Sequence, residues 1–351
     1  MRLRPAVLFS LLLALGLVFA ACGGSDEKTA SSTDVNELLT QTFTGSKKVD
    51  SGNLDLKLRL ETTGGEEQLE EPVSVHLSGP FQSQGGGKLP KFALEAAFEG
   101  AGQSLRAGAT STGEKGYLSF QGTDYVLDPP VFKQFSAGFE EAQKQSGDEN
   151  QSFASLGMDP RKWLTDPKIE GDAKVGDEDT TKITGGVDVA KLLDDVNAAL
   201  AKAGSLGLGG AGQVPEKLTD EQRRQVIASV KDPRVEIYTG KDDQVLRRMV
   251  VDLGIDEQRS GTRATVAFDV SITDLNDDQE IAEPADAKPF SQLLEQLGGL
   301  GLGGGGALGG SSEPSPSGGG SSEQLEQYSQ CITDAGEDAA KARECADLLT
   351  G

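Results

Sequence analysis

The chain has 351 residues, with 33 Lys and Arg against 56 Asp and Glu and a formal net charge of −23. So acidic a chain is a poor partner for nucleic acid, whose phosphates need Lys and Arg, and for electrostatic docking on an anionic bilayer. A single His gives no imidazole pair for a zinc set and suits imidazole catalysis poorly, while the length allows one large domain or two small ones.

Residues 1–21 read as a secretory signal. Arg2 and Arg4 form its positive start, and the core Ala6–Leu17 is shorter than the roughly 20 apolar residues of a membrane span. The end of this segment, Val18-Phe19-Ala20-Ala21-Cys22, resembles the bacterial lipobox, with Phe19 in place of the usual Leu. That motif implies cleavage before Cys22 and acylation there (diacylglyceryl, palmitate). The protein would then be held on the outer face of the bacterial cell membrane by acyl chains contributing ~0.8 kcal/mol per buried CH2. The other readings are a secretory peptide cleaved after Ala20 or Ala21, or an N-terminal anchor. Residues 22–33 are polar and rich in Gly, Ser and Thr, as a tether is.

Asp34–Lys48 is predicted to be a helix. Asp34 takes the N-cap with Glu37 three residues on, Val35, Leu38, Leu39 and Phe43 share a face, and Lys47 and Lys48 sit where the dipole favours cations. The period then changes to two. Leu54, Leu56, Leu58 and Leu60 alternate with Asp55, Lys57 and Arg59, and Val73, Val75 and Leu77 follow with His76 on the polar side. Phe92, Leu94, Ala96 and Phe98 alternate with Glu95 and Glu99; Leu105, Ala107 and Ala109 come next, then Tyr117–Phe120 and Tyr125–Leu127. Glycine-rich separators supply the turns. The stretch reads as an antiparallel meander with one apolar face.

Pro129-Pro130 ends the meander and opens a helix to about Gln145. Asp159–Leu164 is a helical turn with Pro160 near its start, and Lys168–Val175 with Thr180–Gly185 a strand pair. Asp188–Ala203 is an amphipathic helix bearing Val189, Leu192, Leu193, Val196 and Leu200, and Thr219–Lys231 a helix capped by Thr219 with Gln222 three residues on. Arg234–Gly240, Val245–Leu253 and the alternation Ala264, Val266, Phe268, Val270, Ile272 make three closing strands. The domain so defined is 34–297. Residues 298–322, with 12 Gly, form a flexible linker. Residues 323–351 form a separate helical hairpin about Gly336. With Cys22 acylated, Cys331 and Cys345 remain and read as a disulfide outside the cytosol, closing a loop for ~3 kcal/mol.

Other polar candidates have plain structural readings. His76 reads as solvated. Asp274, Asn276, Asp278 and Glu280 have the alternation of a calcium loop, but Gln279 and Ala285 replace its Gly and final Glu. The Gly-Leu repeats around Leu300 have neither a preceding strand nor a closing Lys, so they read as linker and not as a phosphate loop. Trp163 reads as a core or cavity-edge residue. No catalytic set, metal or cofactor is assigned, and the chain is not expected to be an enzyme.

Three passages carry a family resemblance: Gly116–Tyr125; Asp177–Leu193, with Thr180-Thr181-Lys182-Ile183-Thr184-Gly185-Gly186-Val187-Asp188; and Val235–Leu253, with Asp243 and Leu246-Arg247-Arg248, followed by Ile281-Ala282-Glu283-Pro284. Together with the order of elements over about Asp34–Phe290, they resemble the LppX/LprG group of actinobacterial cell-envelope lipoproteins, with its LolA-like lipid-carrier fold. The Gly-rich linker and the cysteine hairpin depart from that pattern. The resemblance implies an α+β fold, a strongly curved antiparallel half-barrel wrapped over helices around an apolar cavity. It also implies binding, and carriage, of lipid in the envelope.

Two non-enzymatic functions follow. In the first, Leu56, Leu58, Phe92, Leu94, Val266 and Phe268, on the apolar phases of three strands, face inward together and line a site for a lipid or other apolar ligand. In the second, the core is filled and the protein presents loops or its cysteine hairpin to an envelope protein partner. Cys22→Ala is expected to release the protein from membranes or leave the precursor uncleaved, read by fractionation and intact mass. Non-reducing peptide mapping is expected to find Cys331 joined to Cys345; free thiols at both would overturn the bridge.

Overall fold

The structure, a computed structural model, describes residues 34–44, 47–64, 69, 71–100, 102–146, 159–205, 218–257 and 261–299. All lie in the first of two compact units, Met1–Ala307 and Leu308–Gly351. The predicted signal segment, Cys22, the tether, the linker beyond residue 299 and the Cys331–Cys345 hairpin fall outside the described residues.

Two runs of strands build the fold. The first is β1 (Ser51–Thr63), β2 (Val73–Gln82), β3 (Lys91–Gly100), β4 (Gln103–Ser111), β5 (Gly116–Phe120) and β6 (Thr123–Val126). The second is β7 (Leu164–Val175), β8 (Glu178–Val187), β9 (Val230–Gly240), β10 (Leu246–Glu257) and β11 (Thr262–Thr273). Each strand pairs antiparallel with its neighbour in sequence, and β1 pairs antiparallel with β11. A two-residue β12 (Lys288–Pro289) lies parallel to β6. The result is one open sheet of twelve strands, ordered β12-β6-β5-β4-β3-β2-β1-β11-β10-β9-β8-β7. With helices α1 (Val35–Thr44), α2 (Pro129–Ser146), α3 (Pro160–Trp163), α4 (Val189–Ser205), α5 (Asp220–Ser229) and α6 (Phe290–Gly299), the fold is α+β.

Local chemistry sets the helix ends. Asp34 accepts from the Asn36 amide at 2.9 Å, Asp159 accepts from the Arg161 amide at α3, and Thr219 and Gln222 form the reciprocal capping box of α5, each filling donors a helix start leaves unpaired. The first helix is shorter than expected. It stops at Thr44, so Lys47 and Lys48 lie beyond it, and the Lys48 carbonyl instead accepts from Asn276 Nδ2 at 2.8 Å. Ile281–Pro284 belongs to no strand.

The register assembles one apolar face. Leu58 stands opposite Phe268 and Val75, Leu60 opposite Val266 and Val73, and Leu56 opposite Val270 and Leu77. Val251 continues the row from Phe268 to Val235, and Met249 from Val270 to Ile237. Leu38, Leu39 and Phe43 of α1 and Trp163 of α3 pack on this face in one cluster with the central strands. The opposite phase is polar. Lys182 meets Glu236 at 2.8 Å, and Arg248 grips Asp269 with two hydrogen bonds of 2.9 and 2.6 Å. Tyr238 donates to Glu236 at 2.7 Å and lies beneath both cations, 5.5 and 5.6 Å from its ring centre.

Phe268 is 7% exposed and seated in this cluster. Phe268→Ala is therefore expected to cost ~3–5 kcal/mol, read by chemical denaturation. This exceeds the small loss expected of a residue facing an open cavity.

Candidate functional site

The apolar face continues past β1 onto β2–β5. Phe98 stands opposite Val75 and Leu105, Ala96 opposite Leu77 and Ala107, and Leu94 opposite Ala109. Leu118 and Phe120 extend the rows from Ala109 and Ala107. This is the same phase as Leu56 and Leu58, yet the burial differs. Leu54, Leu56, Leu58 and Leu60 on β1 are all 3–4% exposed. Val75, Leu77, Phe92, Leu94, Phe98, Leu118 and Phe120 are only half-buried, Ala96 is exposed, and Leu105 is 43% exposed. The floor is uncharged. Lys91, Glu95, Glu99 and Arg106 all take the opposite phase, and small Ala96, Ala107 and Ala109 lie between the larger side chains.

Two helices bound this area. Phe132 of α2 is 6% exposed and lies over Gly116, where an added Cβ would come within 2.5 Å of its ring and 2.9 Å of Leu127. Glycine is what allows that close seat. Phe290 and Leu293 of α6 pack with Tyr125, Leu118, Phe120 and Leu127, and the Tyr125 hydroxyl donates to Gln296 at 2.8 Å. The segment leading to α6 is fastened where Glu283 accepts from Lys115 at 2.8 Å and from the Tyr117 hydroxyl at 2.6 Å. Burial and that bond push the Tyr117 phenol up to about 12, and the Lys115 bond holds the Glu283 carboxyl below its usual range. The sequence signal for α6 was available and unused: Phe290, Leu293, Leu294 and Leu297 recur at i, i+3, i+4 and i+7 after Pro289.

The six residues singled out as lining candidates share this face in two environments. Leu56, Leu58, Val266 and Phe268 are 4–7% exposed and packed in the core beneath α1. Phe92 and Leu94 lie on β3 and are half-buried. His76 is on the outer face, its Nε2 3.0 Å from Asp55 Oδ2. Asp274 and Asn276 hold a turn: Asp274 accepts from Asn53 Nδ2 at 2.9 Å and Asn276 from the Asp50 amide at 2.7 Å. Trp163 is 3% exposed, in the α3–α4 joint beside Asp195. Among the described residues, no group of three His, Cys, Asp or Glu side chains could hold a metal, and no helix is long and apolar enough to cross a membrane. The inner phase of β3 and β4 is apolar and uncharged, a surface suited to hydrocarbon.

The α3–α4 joint has its own pH dependence. Asp195, 7% exposed, accepts from the Asp159 amide at 2.6 Å. Burial nevertheless pushes its carboxyl above the usual range. A carboxyl raised on folding favours the fold most when protonated, and that contribution is lost as pH rises through the folded value. Asp195→Asn keeps an acceptor without the charge. It is expected to be more stable than the parent at neutral pH, with the gain disappearing below the ordinary carboxylate range of ~4, read by denaturation at both pH values.

No family model and no curated protein matches this chain. Among solved structures, it is similar to LprF from Mycobacterium bovis, at 13% identity over 72% of this chain and 97% of that one, with a TM-score of 0.37. It is also similar to the Mycobacterium tuberculosis lipoprotein LppX, at 12% identity over 67% and 90% of the two chains, with a TM-score of 0.27. A third similarity is to a putative outer membrane lipoprotein-sorting protein domain from Vibrio parahaemolyticus, at 7% identity over 66% and 87%, with a TM-score of 0.16.

Proposed function

We propose that this chain is an extracytoplasmic lipoprotein, anchored through Cys22, that binds a lipid or another apolar ligand on the less covered part of its inner sheet face and carries out no reaction on it. The observation that supports this reading is the break in burial along one continuous apolar face. Leu58 on β1 is 4% exposed, while Leu105 on β4, three strands along the sheet order and on the same phase, is 43% exposed. Fully burying a Leu or Phe side chain is worth ~1.5–3 kcal/mol. Several half-buried ones side by side leave a surface whose coverage would stabilise a complex without any charge pairing. The acidic chain favours this mode too, because attraction to anionic headgroups would need Lys and Arg.

The packed half of the sheet favours a second reading, an interaction module with a filled core, because Leu56, Leu58, Val266 and Phe268 are buried in one cluster with Leu38, Leu39 and Phe43 of α1. Leu94 separates the two readings. On the less covered face, Leu94→Trp is expected to leave the fold intact and to block the ligand. In a filled core it would overpack, costing ~1–3 kcal/mol. Native mass spectrometry of the full chain purified from its own host, with lipid extraction, is expected to find an apolar adduct on the parent and none on Leu94→Trp. An unfolded variant, or a parent free of adduct, favours the interaction module.

A further inference from the structure

We infer that β7 is a self-association edge: two copies of this chain pair β7 to β7, antiparallel and centred on Ile169. The inference goes beyond the ligand-binding reading above and does not rest on it. One apolar row crosses the core from Leu56 through Val270, Met249, Ile237 and Ile183 to Ile169, each residue standing opposite the next. Its members are 0–4% exposed until the last, and Ile169 is 43% exposed. The row ends there because β7 is the last strand of the sheet order. The backbone groups on its outer side therefore have no strand beside them among the described residues. A further strand with an apolar residue at this level would continue the row.

The flanking charges select a second copy as that strand. Lys168 stands opposite Thr184 and Glu170 accepts from the Thr184 hydroxyl at 2.8 Å, so both lie on the outer face, and both are exposed. In an antiparallel pair with a two-fold axis at Ile169, Ile169 faces its own copy and each Lys168 faces the other copy's Glu170. Opposite charges directly across a strand pair favour it, and like charges oppose it. Centring the pair on Lys168 or on Glu170 sets two like charges face to face, and a shift of register by one residue sets Lys168 against Ile169. One register therefore satisfies both faces. The pairing is short. The ladder to β8 shifts between Thr165 and Lys168, where Pro167 lies, and again between Ile169 and Gly171. Bulges, Pro and charges of this kind blunt an edge against open-ended growth. Here they leave Lys168–Glu170 available, and a two-fold contact that uses β7 of both copies closes at a dimer. An interface this small belongs with the weak, transient ones, so the test traps it covalently.

Single cysteines are placed in the full chain and oxidised in the purified protein at high concentration, with the parent chain giving the background from its own cysteines. Residues directly opposite in an antiparallel pair have Cα atoms ~4.5–5.5 Å apart, within disulfide reach. Ile169→Cys is expected to form a covalent dimer several-fold faster than Lys57→Cys, an exposed position on the outer phase of β1. Lys168→Cys and Glu170→Cys, which both keep Ile169, are expected to link to each other when mixed and not each to itself. Glu170→Lys is expected to slow the Ile169→Cys reaction several-fold, and Lys168→Glu added to it to restore the rate. Ile169→Cys that links no faster than Lys57→Cys overturns the dimer, as does its capture by a different protein. A rate indifferent to Glu170→Lys overturns the register, and the proposal with it.

Discussion

A sheet that is apolar on one side must be covered on that side, and the twelve strands here outrun their cover. At ~4.8 Å per strand spacing, such a sheet measures about 50 Å along its curve. A helix is ~10–12 Å wide with side chains, so each one shields two or three strands. The helix α1, with Leu38, Leu39 and Phe43, and the turn α3, with Trp163, seal the stretch from β1 to β9. At the far edge, α6 caps β5 and β6 with Phe290 and Leu293. Between these covers lies the apolar phase of β2–β4, where Val75, Leu77, Phe92, Leu94 and Phe98 pack against the core yet are only half-buried.

The polar side fixes which face this must be. Lys182–Glu236, Tyr238 and Arg248–Asp269 form a ladder across four strands on the outer phase. Burial pushes Glu236 up, but its bonds from Lys182 and Tyr238 outweigh this and hold it below the ordinary range. Part-exposed pairs of this kind contribute ~0–1 kcal/mol each, so they stabilise little. Their effect is on register: a one-residue slip would bring these charges to the inner face and Leu58 or Phe268 to water. Arg247 at the end of the ladder is a different case. It is 6% exposed and bonded to Glu178, to Asp243 at 2.7 Å and to the Val245 carbonyl at 3.1 Å. Loss of one partner would leave a buried charge unmatched.

The one apolar face is therefore packed to different degrees in different places. The centre is filled and sets the fold, and the wing over β3–β5 has the surplus apolar area that a ligand could cover.

Much of this was legible in the chain. The alternation of Leu54–Leu60 and of Val266–Ile272 determined both the strands and the side each residue takes, because a strand's period of two is local. Thr219 with Gln222 determined a helix start for the same reason. The six lining candidates do share a face, but the alternation that placed Leu58 and Leu94 on it could not distinguish a side chain 4% exposed from one half-buried. That depends on α1, α2 and α6, which reach the face from distant parts of the sequence. The pairing of β1 with β11, which joins the two runs into one sheet, likewise has no local signal. The sequence by itself determined phase and polarity, which are properties of neighbours in the chain. Only the tertiary structure decided where the apolar face is sealed and where it is left half-buried, because burial is a property of whatever else is packed there.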